Sequence, residues 1–148
     1  MNGDSVRAEH FPAPSKRATG TVNGSPTEVE ALSFSDKIMI TVSQGGRVAQ
    51  WIQVPLSAPS SASVDMALPG AGLSGALPSN HLTPRTLLGG SSEERETLGH
   101  LYASQIASHL TLRDPEEKRS LLLGLGLDKV EGGGEAFFDL LELVLQVL

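Results

Sequence analysis

The sequence predicts an α+β fold built as one domain. Three observations predict it: apolar and polar residues alternate in the first half, helical periodicity follows in the second half, and an apolar segment with helical spacing closes the chain. A chain of 148 residues with 39% hydrophobic residues can bury one core and has little room for a second. We therefore predict one folded domain over residues 16–148. A disordered leader, poor in hydrophobic residues, is expected over residues 1–15.

Three strands are predicted in the first half of the chain. Residues 17–23 form a weak strand that ends in an Asn-Gly-Ser-Pro turn, and residues 27–34 form a second strand. Residues 37–43 alternate most regularly, so they are predicted as a third strand with one buried face. That face is expected to carry Ile38, Ile40 and Val42.

The third strand is predicted to form a hairpin with the segment that follows it. Gly45–Gly46 suits a two-residue turn, because glycine adopts positive φ without steric cost. Pairing across this turn sets Val42 beside Ala49 and Ile40 beside Trp51. The buried face of the third strand is therefore expected to continue through Ala49 and Trp51.

A segment rich in serine, alanine, glycine and proline interrupts the domain at residues 55–81. Such a composition cannot bury enough apolar surface to offset the entropy that is lost on ordering. We predict a long disordered and flexible insertion here. It separates the strand-rich first half of the chain from the mixed second half.

The second half begins with a predicted strand and a helix. The strand, within residues 81–90, contains Pro84, which favours a position at a sheet edge. Ser91 and Glu94 have the spacing of a capping box, so a helix is expected to begin there and to end before residues 113–117. The apolar stripe of this helix consists of Leu98, Leu101, Tyr102, Ile106, His109 and Leu110.

A leucine-rich strand is predicted over residues 119–127. Alternation gives it one face of leucines and one small face, which consists of Leu122, Gly124 and Gly126. We expect the closing helix to pack closely against the small face, because glycine leaves room for a neighbouring backbone.

The closing helix, residues 135–148, is more apolar than a monomer of this size requires. Its polar residues form one narrow stripe, whereas a surface helix usually buries an apolar arc of only about 100°. Either its own fold encloses the helix, or a second chain covers the remainder. The residues predicted for helix packing or dimerisation are Phe137, Leu141, Val144 and Leu148.

Neither a metal site nor a cofactor site is predicted. A net charge of −6 with scattered basic residues also argues against nucleic-acid binding. The chain has no cysteine, which excludes thiolate metal ligands and disulfides. His100 and His109 point in opposite directions on the predicted helix, so they cannot chelate one ion.

No catalytic residue is predicted either, so we expect a protein that is not an enzyme. Residues 124–129 lack the third glycine of a dinucleotide-binding turn. Glu93, Glu94 and Glu96 lie in the first turn of a helix, where the macrodipole stabilises them. The N-terminus has no apolar signal segment, and the closing apolar run is short and contains acids. We therefore expect a cytoplasmic protein, with the nucleus as a second location and no membrane contact.

The order of several short motifs resembles the proteasome assembly chaperone 3 family, as a fungal-type or other divergent member. The likeness runs in order from about residue 16 to the end, and the insertion, the leader and the glycines before the last helix depart from it. The motifs are Gly24-Ser25-Pro26-Thr27, Phe34-Ser35, Gln44-Gly45-Gly46-Arg47 and Leu87-Leu88-Gly89, followed by the late leucine strand and the amphipathic closing helix.

This resemblance implies a small antiparallel β-sandwich flanked by two helices. It also implies a non-catalytic chaperone that pairs with a subunit like proteasome assembly chaperone 4. The pair would bind proteasome α subunits transiently and promote assembly of the α ring of the 20S core particle. Gln44, Gly45, Gly46 and Arg47 are predicted as an exposed contact at the hairpin tip.

Two alternatives stay open. In isolation the chain could form a homodimer through the closing helix. A permanent scaffold or adaptor subunit of a signalling or trafficking complex would also use a small α+β fold without a reactive site. Release on completion of a 20S particle distinguishes the chaperone from the scaffold.

Overall fold

The structure, a computed structural model, describes residues 13–57, 82–90, 92–128 and 134–148. Most of the predicted leader and of the predicted insertion lies outside these ranges. Eight elements follow one another along the chain. They are β1 (Ser15–Val22), β2 (Ser25–Ser33), β3 (Lys37–Gln44), β4 (Gln50–Pro55), β5 (Arg85–Gly89), α1 (Glu93–Arg113), β6 (Ser120–Gly126) and α2 (Gly134–Leu145).

The described strands form one six-stranded sheet in the order β1-β2-β3-β6-β4-β5. β3 and β6 are parallel, and every other neighbouring pair is antiparallel. The predicted α+β class with two helices is confirmed. In place of the two sheets of a sandwich, the described residues contain one sheet, with both helices on one of its faces. No described helix is both long and apolar enough to cross a membrane.

The predicted hairpin between β3 and β4 is wrong, because β6 lies between these two strands. The glycine turn itself forms, with φ of 72° at Gly45 and 74° at Gly46, and an isolated bridge joins Gln44 to Arg47. The chain then crosses β6 and pairs with its far edge. Local pattern could not reveal this arrangement, because the inserted strand comes from the second half of the chain.

Because β4 pairs with β6 and not with β3, the buried face of β4 is the opposite of the predicted one. Ile52 and Val54 are buried with Ile40, whereas Trp51 lies on the opposite face and Ala49 is exposed. The central strands carry the core face, whose fully buried residues include Val29, Ile40, Val42, Ile52, Val54, Leu121, Leu123 and Leu125.

Both helices pack on this core face. A Cβ at Gly99 of α1 would lie 2.6 Å from Ile52 Cδ1, so glycine lets this helix approach β4. A Cβ at Gly20 of β1 would lie 3.3 Å from Leu143 Cδ1 of α2. The predicted packing of a helix on the glycine face of β6 is therefore wrong. The helices cover its leucine face, because that face offers more apolar area to bury.

The two helices contact each other through aromatic rings. Tyr102 of α1 stacks on Phe137 of α2 at a centroid distance of 4.5 Å. Burial raises the pKa of Tyr102 to about 12. Helix α1 begins one residue later than predicted, because the side chain of Ser92 accepts the hydrogen bond from the Arg95 amide.

An ion pair fixes the start of β6. The carboxylate of Glu117 accepts hydrogen bonds from Arg119 Nε at 2.7 Å and Nη2 at 2.8 Å. Arg119 Nη1 also donates to the carbonyl oxygen of Phe34, at 3.3 Å. The bond to Phe34 ties the strand to the β2–β3 connection. The hydrogen bonds from Arg119 lower the pKa of Glu117 to about 2, below its ordinary value of 4.5.

Replacing Glu117 by glutamine is expected to make the stability of the protein depend less on pH in the acid range. The folded-state pKa of Glu117 is depressed, so the pair stabilises the protein above about pH 4.5, and this contribution is lost as pH falls towards 2. The melting temperature, measured from pH 7 to pH 2, should fall less steeply in Glu117→Gln. Exposed Glu116, replaced in the same way, is the control. Equal slopes for the wild type and Glu117→Gln would contradict the prediction.

Candidate partner-binding surface

The sheet has a second face, which neither described helix covers. We call it the open face. It alternates with the core face along every strand, and its centre lies on β3, β6 and β4. Its residues include Arg17, Thr19, Glu28, Glu30, Leu32, Lys37, Met39, Thr41, Ser43, Trp51, Gln53, Arg85, Leu88, Leu122, Gly124 and Gly126.

Trp51 lies at the centre of the apolar part of the open face. A Cβ at Gly124 would be 2.9 Å from Trp51 Cζ3 and 3.0 Å from its Cη2. The indole ring therefore rests on the backbone of β6, which only a glycine permits at this distance. Val48 Cγ1 approaches the same position to 3.0 Å. The ring is half-buried by its own sheet, so a rigid aromatic surface is already formed in the single chain.

Apolar residues surround Trp51 and remain accessible. Leu88, its neighbour on β5, is 68% exposed, and Val48 is 37% exposed. Leu122 and Met39 pair with each other on the next row of the sheet and are partly exposed. A contiguous exposed apolar patch is a common feature of protein–protein interaction sites.

The far side of the open face is charged. Arg17 of β1 contacts Glu30 at 3.3 Å and Glu28 at 3.5 Å on β2. Arg17 is exposed and both glutamates are partly exposed, so the contacts add little to stability. The open face thus has an apolar patch around Trp51 and charged residues towards its edges, on β1, β2 and the starts of β3 and β5, and polar edges around an apolar patch are typical of an interface.

The glycine turn after β3 provides only part of the exposed contact that the sequence predicts. Gly45, Gly46 and Arg47 are exposed, whereas Gln44 is 5% exposed. The Gln44 amide nitrogen donates to Thr27 Oγ1 at 3.0 Å and to the Val22 carbonyl at 3.3 Å. Its oxygen accepts from the Asp128 amide at 2.9 Å. Gln44 therefore holds the turn in place from beneath.

The predicted residues of α2 lie mainly inside the fold. Val144 and Leu141 are buried, Phe137 stacks on α1, and Leu148 packs partly against the core. Two apolar residues of this helix that were not among the predicted ones are exposed, Phe138 by 67% and Leu145 by 42%. The packing role predicted for the helix is thus visible in the structure, and a dimerisation role stays a prediction.

One cluster has the residue types of a catalytic triad but not its geometry. The Thr86 hydroxyl is 2.7 Å from His100 Nε2, and the Glu96 carboxylate is 3.9 Å from the same nitrogen. In a triad the acid contacts the other ring nitrogen, so that it can orient the base towards the nucleophile. This cluster cannot relay a proton in that way. Within the described ranges, no group of three metal-ligating side chains occurs.

Sequence reasoning missed the open face and its central residue. The available signal was the small face of β6, because glycines at alternate positions in a strand leave room for a large ring from a neighbouring strand. The sequence analysis instead predicts a helix on this small face. It predicts Trp51 in the core, since a hairpin with β3 sets it beside Ile40.

Comparisons with known proteins identify the family. The family model for Proteasome assembly chaperone 3 matches residues 40–146, which confirms the resemblance that the motifs indicate. Among curated proteins, no sequence matches the chain. A solved structure, "Crystal Structure of a Novel Chaperone Complex for Yeast 20S Proteasome Assembly", contains a similar fold. Its TM-score is 0.57 at 14% identity, over 90% of this chain and 97% of that chain. Since the family match extends over more than half of the sequence, the chain belongs to the proteasome assembly chaperone 3 family.

Proposed function

We propose that this chain is one half of a heterodimeric chaperone that promotes assembly of the 20S proteasome α ring. A role as a proteasome assembly chaperone follows from family membership. The further proposal names a subunit like proteasome assembly chaperone 4 as its partner and α subunits as its transient clients. It acts without catalysis, in the cytoplasm and the nucleus.

The observation that carries the proposal is the open face around Trp51. A sheet with helices on one face leaves its other face to water unless a second layer covers it. Here the uncovered side holds an indole ring, Leu88 and Leu122, which are unfavourable in water. A related subunit with the same fold would present a matching sheet face. The two sheets together would form the sandwich that the family resemblance implies for one chain.

The proposed mechanism is shape-complementary binding that ends in release. With one face of each sheet used for pairing, the helices and loops of both subunits remain available to α subunits. Binding to an α subunit restricts which neighbours can join it, and competition from β subunits for the same surface releases the chaperone. Such a mechanism requires moderate affinity, because a chaperone that never dissociates would block assembly.

A pull-down from cell extract tests this proposal. Tagged chain should recover a second small chaperone subunit together with α subunits, and the recovered particles should lack mature β subunits. Mass spectrometry and native electrophoresis identify them. Recovery of the chain in complete 20S particles would instead support a role as a permanent subunit. Recovery of an unrelated membrane complex would contradict the chaperone function.

The variant Leu88→Asp provides a matched test in the same experiment. Leu88 is 68% exposed, so the change should leave the fold intact while it introduces a charge into the apolar patch of the open face. Loss of the second subunit is expected, since a buried unpaired charge is costly. Leu112→Asp is the control, because Leu112 is 78% exposed and lies on α1, away from the open face.

A further inference from the structure

Strand β5 contains one residue more than the stretch of β4 that lies beside it. Leu88 pairs with Trp51 and Thr86 pairs with Ile52, so Leu87 has no partner on β4. An extra residue of this kind is a β-bulge, and it shifts the alternation of the strand. Thr86 therefore lies on the core face and Leu88 on the open face, although only Leu87 separates them.

A glycine fixes the pairing on one side of the bulge. Gly89 pairs with Gln50 and has a positive φ of 81°. A Cβ at Gly89 would lie 2.8 Å from Gln50 Cα and closer still to the Ala49 carbonyl oxygen. This close approach of two backbones holds the end of β5 against the start of β4.

On the other side of the bulge, polar side chains of α1 hold Thr86. The Thr86 hydroxyl is 2.7 Å from His100 Nε2 and 3.4 Å from Glu96 Oε1. His100 and Glu96 are one helical turn apart, so both face β5. In the tautomer with hydrogen on Nε2, the hydroxyl accepts from His100 and donates to Glu96 at the same time. We call these three residues the Thr86 cluster.

Without the Thr86 cluster, a second register is open to β5. If Gly89 stays in place and the bulge is lost, Leu87 pairs with Ile52 on the core face and Thr86 pairs with Gln53 on the open face. Apolar burial favours this regular register, because Leu87 is 49% exposed in the bulged one. The regular register would set a leucine opposite the polar groups of α1 and remove their hydrogen bonds. The Thr86 cluster therefore favours the bulged register.

The bulged register determines which side chains the edge of the open face presents. Arg85 lies on the open face, and Leu87 is exposed next to Leu88. In the regular register, Thr86 would take the place of Arg85, and Leu87 would be buried. Both the exposed apolar surface and the charge at this edge would be smaller.

We propose that Thr86 and His100 are positioning residues for partner binding. Both act through β5, because their hydrogen bond holds the register that keeps Arg85 and Leu87 at the edge of the open face. This inference rests on the proposed function, since it takes the open face as the surface that binds the second subunit. It adds that a side chain of α1 controls the shape of this surface from the opposite face of the sheet.

Titration with the purified second subunit tests the positioning role. Thr86→Val keeps the shape of the side chain but removes the hydroxyl, so it should weaken binding about 3- to 10-fold, the effect of one net hydrogen bond. Thr86→Ser should bind like the wild type. His100→Leu removes the same bond from α1 and should cause the same loss, with no further loss in the double variant. Thr97→Val, at an exposed threonine of α1, is the matched control.

A crosslink reports the register of β5 without any partner. The chain has no cysteine, so Gln53→Cys with Arg85→Cys introduces two thiols that pair directly only in the bulged register. At a fixed glutathione ratio, adding Thr86→Val should lower the fraction of disulfide, whereas adding Thr97→Val should leave it unchanged. Circular dichroism checks that all variants fold.

The two measurements separate failure of this inference from failure of the proposed function. If the wild type binds no second subunit, the proposed function fails, and the crosslink still decides whether the Thr86 cluster holds the register. A disulfide fraction that Thr86→Val leaves unchanged would overturn the inference. Unchanged affinity for the second subunit in a variant whose register has shifted would overturn it as well.

Discussion

Replacing Trp51 by alanine is expected to weaken binding of the partner subunit by roughly 30- to 1000-fold, the effect of losing about 2–4 kcal/mol at an aromatic hot spot. The ring lies at the centre of the apolar patch of the open face and is supported by the backbone at Gly124. A preformed aromatic surface loses little conformational entropy on binding, so little of the binding free energy from its contacts is offset by ordering. Titration with purified partner measures the change.

The control for Trp51→Ala is Phe138→Ala. Phe138 is also a large aromatic residue and is 67% exposed, but it lies on α2, in the helix layer. If the partner binds the open face, only Trp51→Ala weakens it. If the closing helix forms the interface, as the sequence suggested, Phe138→Ala weakens binding and Trp51→Ala does not.

Trp51 also reports its own environment, because it is the chain's one tryptophan. Its emission should shift to shorter wavelength when a partner covers the open face and removes water from the ring. A partner without tryptophan avoids overlapping signals. An unchanged spectrum on saturation would place the interface elsewhere.

Replacing Gly126 by alanine is expected to destabilise the fold by about 3 kcal/mol. A Cβ at this position would lie 1.6 Å from the Arg47 carbonyl oxygen and 3.0 Å from Val48 Cα. Both are backbone atoms, so a rotamer change cannot relieve the clash. The crossing from β3 to β4 must move away from β6, which also shifts the exposed turn at Gly45–Gly46.

Urea denaturation measures this effect, with Gly134→Ala as the control. Gly134 is the first residue of α2, and a Cβ there would find its nearest neighbour at 4.0 Å, on Phe138. Alanine should be neutral or stabilising by up to about 1 kcal/mol at that position. A Gly126→Ala variant with the wild-type midpoint and slope would contradict the close crossing.

Element type and location were largely predictable from the sequence. Strands β1, β2, β3 and β6 and both helices lie within a few residues of the predictions, because alternation and helical periodicity are local signals. Ser92 replaces Ser91 as the cap, a difference of one residue between adjacent serines that both suit the position. The two segments predicted as disordered remain predictions, since they lie mainly outside the described residues.

Strand order was not predictable, and the candidate site depends on it. Alternation shows which residues of a strand share a face, but it does not show which strand lies beside it. With β6 between β3 and β4, Trp51 lies on the open face and not in the core, although the alternation along β4 is unchanged. The same strand order sets Gly124 beneath the indole ring. The partner-binding surface is therefore a product of long-range pairing.

The position of β6 also bears on how the chain is made. The hydrogen bond between Gln44 and Asp128 joins residues 84 positions apart, and β4 has no neighbour on its inner side until β6 is present. During synthesis, the first four strands leave the ribosome well before the strand that must separate two of them. Pairing across such distances is slow to form. A nascent chain without β6 would expose the edges of β3 and β4, so it depends on late residues, or on other chaperones, to avoid premature association.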